Sequence, residues 1–404
     1  MIKIFDKHKC CGCGGCVQVC PHHCIRMVED EEGFLYPVVD DEKCVDCGLC
    51  EKICPCLNDL DLQPSLRKTF ALKDDDVSRM KSSSGGAFAS IARYVLSNGG
   101  IVYGAALGPN KEVLHIAIES ESELDQLRGS KYAQSNLCET YPNIKRHLAE
   151  GKLVLFSGVS CQVKGLKTFL RKDYDNLLTV EILCHGVSSP GIYQKYLDEI
   201  CDKYEIEKDE MEKIFFRNPM IWKEFILSIY LKDGRVLNGP LDNAFMQGFS
   251  RNLIVRPACF DCCAKCLKAG SDVLLGDFWC LEYLDEKFAD NKGVSLAIMN
   301  TPKGVELIRH LDSEVKEFKY EQALLGNRNI EHSQKEPEDR KAFFETYIVS
   351  KDYTASICKY TQLPLRLRIR HWISLPLKAI GLRGIINRIN DKKQRKLFFD
   401  GKLE

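Results

Sequence analysis

A chain of 404 residues exceeds the size of one ordinary hydrophobic core, so we expect two or three domains. Lys plus Arg and Asp plus Glu both number 57, and the resulting zero net charge argues against a general attraction to nucleic acid or to an anionic membrane. No secretory signal and no apolar run of membrane-spanning length accompanies the 21 cysteines, so we expect a cytoplasmic protein whose clustered cysteines bind metal.

The N-terminal segment, residues 1–60, repeats one cysteine frame. "CCGCGGCVQVCP" (10–21) and "CVDCGLCEKICP" (44–55) both contain C-x2-C-x2-C-x3-C-P, and their glycines let each loop curl around a cluster. This spacing is typical of bacterial ferredoxins with two [4Fe–4S] clusters, in which the fourth cysteine of each run ligates the other cluster. The predicted ligands are Cys10, Cys13, Cys16 and Cys54 for one cluster, and Cys44, Cys47, Cys50 and Cys20 for the other. A pair of zinc sites is the alternative, but it does not explain the doubled frame with its terminal prolines.

The rest of this segment predicts ordinary structure. "CIRMV" and "GFLYPVV" predict a small hairpin between the two runs. Cys11, Cys24 and Cys56 fall outside the frame, and we expect them to be small core residues.

Residues 69–312 alternate between strand and helix patterns and predict an α/β body. The predicted strands are "TFALKD", "IVYGAAL", "LHIAI", "KLVLFSG", "LLTVEILCHG", "DVLLGDFW" and "VSLAIMNT", and the predicted helices lie in "AFASIARYVLSN", "ETYPNIKRHLAEG", "VSCQVKGLKTFLR", "SPGIYQKYLDEICDKY" and "PKGVELIRHL". "KLVLFSG", its helix and "LLTVEILCHG" predict a parallel, right-handed strand–helix–strand unit. "KIFFRNP", "EFILSIYL" and "RVLNGP" predict an antiparallel meander.

Two loops of the body are candidates for cofactor binding. Ser82–Gly86 opens a helix, where free N–H groups attract phosphate and glycine allows close approach, although serine is equally favoured as an N-cap. "GSKYAQS" (129–135) combines a cation, an aromatic ring and amides. Lys131 suits the negative charge near N1 of a reduced flavin, or it is a solvated surface lysine.

Further cysteines follow the predicted strands. Cys161 and Cys184 come at the carboxyl ends of two parallel strands, the edge at which ligands gather in open sheets. "CFDCCAKC" adds Cys259, Cys262, Cys263 and Cys266. A third cluster, a zinc site, or core residues with a reactive thiol all remain open for these cysteines. His185 is either a proton donor or a hydrogen-bonded residue without a catalytic role.

Several body motifs, taken in order, resemble the beta subunits of coenzyme F-420 hydrogenases and dehydrogenases. They are "SSSGGAFASIARYVLSNGGIVYGAAL", "LRGSKYAQSNL", "VLFSGVSCQVKGLKTFL", "EILCHGVSSP", "FFRNP" and "DVLLGDFW". The resemblance implies an α/β (α+β) flavin-binding body behind a small ferredoxin-like α+β iron–sulfur domain. It implies FAD contacts at Ser84, Gly85, Gly86, Lys131, Tyr132, Gln134 and Ser135. It also favours Cys161, Cys184, Cys259 and Cys262 as ligands of a third [4Fe–4S] cluster. Ser160, Cys280 and Asn218-Pro219 depart from the family pattern beside the expected pocket, so the resemblance does not identify the substrate.

The expected function is that of an iron–sulfur flavoprotein oxidoreductase. Flavin converts between two-electron chemistry and single electrons, and the clusters exchange those electrons with ferredoxin or another redox protein. Cys184 and His185 are the catalytic candidates toward a small-molecule substrate or carrier. One alternative is a relay subunit that docks on a catalytic partner and turns over no substrate; another is a flavin-free scaffold or sensor.

The C-terminal part, residues 313–404, is predicted to be a helical extension with a basic amphipathic end at 364–399. An ordinary amphipathic helix packed on the body is favoured for this end. Contact with a membrane surface and docking of an acidic partner are the alternatives.

Overall fold

The computed structural model of the protein describes residues 1–58, 62–218, 225–239 and 243–361. The N-terminal module contains α1 (Gly15–Val19), the antiparallel hairpin β1 (Ile25–Glu29) and β2 (Leu35–Val39), and α2 (Leu49–Lys52). The two short helices occupy equivalent places in the two cysteine runs. Each is preceded by a glycine in the left-handed region, Gly14 at φ 66° and Gly48 at φ 71°, which lets the loop turn sharply into the helix.

A mixed eight-stranded sheet forms the body within the described residues, in the order β13-β3-β12-β11-β7-β6-β4-β5. Its strands are β3 (Lys68–Lys73), β4 (Ile101–Leu107), β5 (Val113–Ile118), β6 (Val154–Val159), β7 (Leu177–Ile182), β11 (Val273–Asp277), β12 (Ser295–Met299) and β13 (Glu314–Phe318). The adjacent strands β4, β6, β7 and β11 are parallel, and the remaining pairs are antiparallel. Val154, Leu155 and Phe156 of β6 are fully buried, as the continuous apolar run of a central parallel strand requires. The predicted α/β class and the parallel β6–helix–β7 unit are therefore present.

Helices cover the sheet, and a second small sheet lies outside it. The body helices are α3 (Asp76–Met80), α4 (Ala87–Ser97), α5 (Thr140–Ala149), α6 (Ser160–Leu170), α7 (Pro190–Tyr204), α8 (Ala244–Ser250), α9 (Leu281–Leu284), α10 (Pro302–Leu307), α11 (Tyr320–Gly326), α12 (Arg340–Ser350) and α13 (Tyr353–Thr361). The meander predicted around residue 233 is the antiparallel set β8 (Met211–Phe215), β9 (Ser228–Leu231) and β10 (Val236–Leu237). None of the helices described is long and apolar enough to cross a membrane.

Residues 313–361 are part of the body's sheet and core, whereas the sequence predicted a separate helical extension. β13 pairs with β3 and forms an edge of the main sheet. Phe343 of α12 and Tyr353 of α13 are fully buried in the core that α7 and α8 share. The expected boundary at residue 312 thus cuts through the sheet. The basic segment 364–399 lies outside the described residues.

Buried arginines of the body hold the ferredoxin-like module in place: Arg340 pairs with Glu32 of the module, and Arg256 makes the larger set of contacts. Arg256 has no exposed surface, and its Nε donates to the carbonyl of Cys10 at 2.7 Å. Its other nitrogens donate to the carbonyl of Leu35 at 3.0 Å and to Oε1 of Gln134 at 2.9 Å. The guanidinium also lies over the Tyr36 ring, 4.3 Å from its centroid. A body cation therefore satisfies backbone acceptors in both a cysteine loop and the hairpin of the module.

The module also approaches α6 closely. A Cβ atom on Gly165 would lie 3.1 Å from Cβ and 3.2 Å from Sγ of Cys13. Only glycine at this position allows the first cysteine loop to reach the helix that carries Cys161.

Candidate iron–sulfur centres and cofactor cavity

The predicted ligands of the ferredoxin-like module come together in two groups. Cys20, Cys44, Cys47 and Cys50 line one small cavity, although Cys20 belongs to the first run and the other three to the second. In the other group, burial and then the neighbouring Cys10 and Cys54 thiols raise the pKa of Cys16. Cys13 lies beside Cys11 and near Cys16, and Cys11, burial and then Cys16 raise its pKa. Each group therefore combines three cysteines of one run with the last cysteine of the other, as crossed ligation requires. Thiolate sulfur is the donor that [4Fe–4S] clusters use, so the residues present fit these clusters.

The four body cysteines favoured as a third ligand set also surround one region. Cys161 is the second residue of α6, Cys184 follows β7, and Cys259 and Cys262 lie in the segment that leads to β11. Burial and then Cys184 and Cys262 raise the pKa of the Cys259 thiol. Cys11 first, then burial, and at longer range Cys262 and Cys259, raise the pKa of the Cys161 thiol. The sheet edge and the 259–262 loop thus bring four sulfurs within electrostatic reach of one another.

A third thiol group was not expected from the sequence. The Sγ atoms of Cys11, Cys56 and Cys263 all lie within 4.8 Å of one another. Cys11 and Cys56 were predicted to be small core residues, and Cys263 was one of several cysteines left open. The only sequence signal is that each follows a predicted ligand within two positions: Cys10, Cys54 and Cys262, respectively.

A cavity of about 1100 Å³ lies at the carboxyl ends of the parallel strands. It is at the upper end of the range for cofactor sites and is large enough for a dinucleotide. The predicted cofactor and catalytic residues on its wall are Ser84, Gly86, Lys131, Tyr132, Ser135, Cys184 and His185. Both loops singled out from the sequence therefore meet in one cavity, and the Cys184 end of the third cysteine set reaches the same cavity.

Gly85 and Gln134, two predicted flavin contacts, have other roles in the described structure. A Cβ on Gly85 would lie 2.3 Å from the Leu72 carbonyl oxygen and from the Ser295 amide, so this glycine allows the loop to pack against the sheet. Nε2 of Gln134 donates to the carbonyl of Cys11 at 2.9 Å, toward the ferredoxin-like module. Both positions therefore serve local packing: Gly85 through its missing side chain, and Gln134 through its amide.

The serines of the first loop hold the loop in place. Ser83 Oγ accepts from the Ser130 amide at 2.7 Å and so ties the two cavity loops together. Ser84 Oγ donates to the Val294 carbonyl at 3.1 Å. Gly86, at φ 85°, occupies the N-cap of α4, so the alternative of a serine N-cap for this helix is wrong.

Lys131 and His115 give the cavity its polar character. The ammonium of Lys131 donates to the Arg128 carbonyl at 2.9 Å, and its enclosure by protein lowers its pKa to about 7. Nε2 of the buried His115 donates to the Ser157 carbonyl at 3.0 Å, and burial lowers the pKa of this residue to about 4. Within the described residues, its Nδ1 is buried without a hydrogen-bond partner. A neutral His115 thus offers a lone pair in the cavity wall, which sequence patterns did not indicate.

The two catalytic candidates are constrained by their surroundings. Burial raises the pKa of the Cys184 thiol to about 11, which keeps it protonated near neutral pH. Nε2 of His185 lies 2.6 Å from Oδ1 of Asn252 and donates to it, while burial lowers the pKa of the imidazole. A neutral imidazole with its N–H engaged is better placed to accept a proton than to donate one.

Comparisons with known proteins agree with the order of the motifs. Residues 151–322 match the family model for the C-terminal region of the beta subunits of coenzyme F420 hydrogenase/dehydrogenase. Residues 9–58 match the 4Fe-4S dicluster domain. A search of curated proteins gives no match. A chain in the solved structure of the F420-reducing [NiFe] hydrogenase complex from Methanosarcina barkeri shares 16% identity, with 74% of this chain and 91% of that chain covered and a TM-score of 0.43.

The dicluster match coincides with the module that carries both crossed cysteine groups, and the beta-subunit match covers α6, β7 and the 259–266 cysteines. Iron–sulfur electron transfer is thereby the function of the N-terminal module. The chain thus carries a 4Fe–4S dicluster domain at its N-terminus, followed by a region that is similar to the C-terminal part of the coenzyme F420 hydrogenase/dehydrogenase beta subunits.

Proposed function

We propose that the protein is an iron–sulfur flavoprotein oxidoreductase that exchanges single electrons with a ferredoxin-type partner and two electrons with a small substrate. The observation that carries this proposal is the 1100 Å³ cavity, which the 82–86 and 129–135 loops line on one side and Cys184 on another. A bound flavin would supply the conversion between two-electron and one-electron chemistry.

The residues of the cavity fit a flavin dinucleotide. The 82–86 loop and the start of α4 would present backbone N–H groups to the pyrophosphate. Lys131 would provide positive charge, because a bound anion favours its protonated form. Nδ1 of His115, which is buried and unpartnered within the described structure, would accept an N–H or O–H from the ligand. His185 would accept or return a proton at the cavity wall.

Cys161, Cys184, Cys259 and Cys262 are proposed to hold a third [4Fe–4S] cluster between the module and the cavity. Their neutral thiols would lose protons on binding iron, so the raised pKa values describe the metal-free state only. The division into 1–60, 69–312 and 313–404 remains a proposal with one change: β13 (Glu314–Phe318), which pairs with β3, belongs to the body.

An anaerobic count of iron, acid-labile sulfide and flavin per chain tests this proposal. The expected result is about twelve irons and one flavin, since each cluster carries four irons. Ser variants of Cys161 and Cys184 should each retain about eight irons, because the module has its own ligands. Absence of flavin after reconstitution would refute the flavoprotein proposal, and unchanged iron in both variants would refute the third ligand set.

Steady-state turnover separates the oxidoreductase from the relay subunit. The isolated chain, with reduced ferredoxin as donor, should reduce a two-electron acceptor. Rapid electron uptake into the clusters without turnover of any acceptor would favour the relay, which needs a separate catalytic partner.

A further inference from the structure

Cys11, Cys56 and Cys263 form a compact thiol group at the junction of the module and the body. The Sγ atoms of Cys56 and Cys263 are 3.1 Å apart, and all three sulfurs lie within 4.8 Å of one another. Cys11 is buried and the other two are half-buried. None of these three residues is an assigned cluster ligand, although Cys11 also contacts two residues that are, Cys13 and Cys161.

The spacing of these sulfurs distinguishes between two kinds of metal centre. A single tetrahedral Zn²⁺ with Zn–S bonds of about 2.3 Å places its thiolates about 3.8 Å apart. A [4Fe–4S] cluster binds each thiolate on a different iron, so its ligand sulfurs stand farther apart. Three sulfurs confined within 4.8 Å therefore match one ion and not a cluster.

A buried cation lies beside this group. Lys164 of α6 has no exposed surface, and its ammonium donates to the carbonyl of Cys263 at 2.8 Å. Within the described residues, no carboxylate pairs with this ammonium. A buried charge is stable only when it is compensated. Thiolates bound to one ion would give the Lys164 ammonium the negatively charged neighbour that it otherwise lacks.

We propose that Cys11, Cys56 and Cys263 bind one thiophilic divalent ion of the zinc class, which joins the ferredoxin-like module to the body. Cys11 and Cys56 come from the module, and Cys263 from the body, 252 positions after Cys11. Because the ligands come from two parts of the chain, metal binding stabilises the docked arrangement directly. The ion is structural, does not take part in electron transfer, and holds the first cysteine loop close to α6.

The test uses the full-length chain, reconstituted anaerobically with iron and sulfide and then equilibrated with Zn²⁺. Zinc, iron and sulfide are counted for the wild type, for Cys56→Ser and Cys263→Ser, and for Cys266→Ser as a control from the same loop. We expect about one zinc per chain in the wild type and in the control, and almost none in the other two variants. The amounts of iron and sulfide per chain should be equal in all four proteins.

X-ray absorption at the zinc edge and Co²⁺ substitution of the wild type do not depend on the folding of any variant. The expected result is at least three sulfur ligands at about 2.3 Å and the visible bands of thiolate-bound Co²⁺. Zinc that is retained in Cys263→Ser, or zinc with only oxygen or nitrogen ligands, would overturn the proposal. A loss of about four irons in Cys263→Ser would also overturn it, because the thiol would then belong to a cluster. So would a Cys56–Cys263 disulfide in the anaerobic protein, since it would leave no thiolates to bind the ion.

Discussion

Replacing Arg256 with methionine should weaken the contact between the ferredoxin-like module and the body. Methionine has a similar length but no donors, so the carbonyls of Cys10 and Leu35 and the amide oxygen of Gln134 would lose their buried partner. Leaving one buried acceptor unsatisfied costs about 1–3 kcal/mol, and the three together, with partial hydration, should cost about 4 kcal/mol. That free energy corresponds to roughly a thousandfold change in the equilibrium for opening the contact.

Hydrogen exchange followed by mass spectrometry measures this opening directly. In the cluster-loaded protein, amides of residues 10–20 and 34–39 should lose about three orders of magnitude of protection in Arg256→Met. The amide protection of Arg256→Lys should lie between that of the wild type and that of Arg256→Met. An ammonium keeps the charge but cannot donate to all three acceptors as the planar guanidinium does.

Arg309→Met is the matched control. Arg309 is exposed and pairs with Glu306 at the surface at 2.7 Å, where such a pair contributes about 0–1 kcal/mol. Its exchange pattern should match that of the wild type. If the protection of the module's amides in Arg256→Met stays within threefold of the wild type, the guanidinium does not hold the interface.

Two further predictions concern the cavity. Because the pKa of His115 is about 4 in the folded chain, the unfolded chain binds a proton first as the pH falls from 6.5, so up to about 3 kcal/mol of stability should be lost by pH 4. Denaturation of the wild type and of His115→Gln across that range tests this, and equal slopes would contradict it. Lys131, with a pKa of about 7, should make FAD affinity fall as the pH rises from 6 to 8. Titration of Lys131→Met should show no such fall, and a wild-type-like pH dependence in this variant would exclude Lys131 as its source.

Local sequence patterns predicted those parts of the fold that depend on residues close together in the sequence, such as the cysteine loops and the central strands. The two cysteine frames predicted the ferredoxin-like module, since cluster ligation constrains the spacing of cysteines within a dozen residues. Apolar runs identified β6 and β7, since strands buried on both faces carry little else. β13 was missed as a sheet strand because "EVKEF" is an exposed edge with few apolar residues.

The contacts that assemble the site could not be predicted in this way. Arg256 meets Cys10 across 246 positions, and Cys263 meets Cys56 across 207. A single sequence contains no periodicity that links such distant residues. The motif match predicts that the 129–135 loop contacts a cofactor, but it could not show that Gln134 turns toward the module while Lys131 lines the cavity.

The placement of the sulfurs gives the proposed electron path one end at the surface and one end at the cavity. Cys47 is exposed, so the group of Cys20, Cys44, Cys47 and Cys50 is the one that an external redox partner can approach. The other module group is close to the body, because Cys13 lies against α6.

From that contact the sulfurs continue inward. Cys161 is near Cys259, Cys259 is near Cys184, and Cys184 lines the cavity. Single electrons would thus pass between a surface cluster and the cavity in short steps, through cysteines that are buried or half-buried. A separate ferredoxin would have to find the buried end of this path by diffusion. In this chain the module is covalently joined to the body and Arg256 docks it there, so the inner cluster stays close to the cavity. The exposed cluster remains free to exchange electrons with a partner.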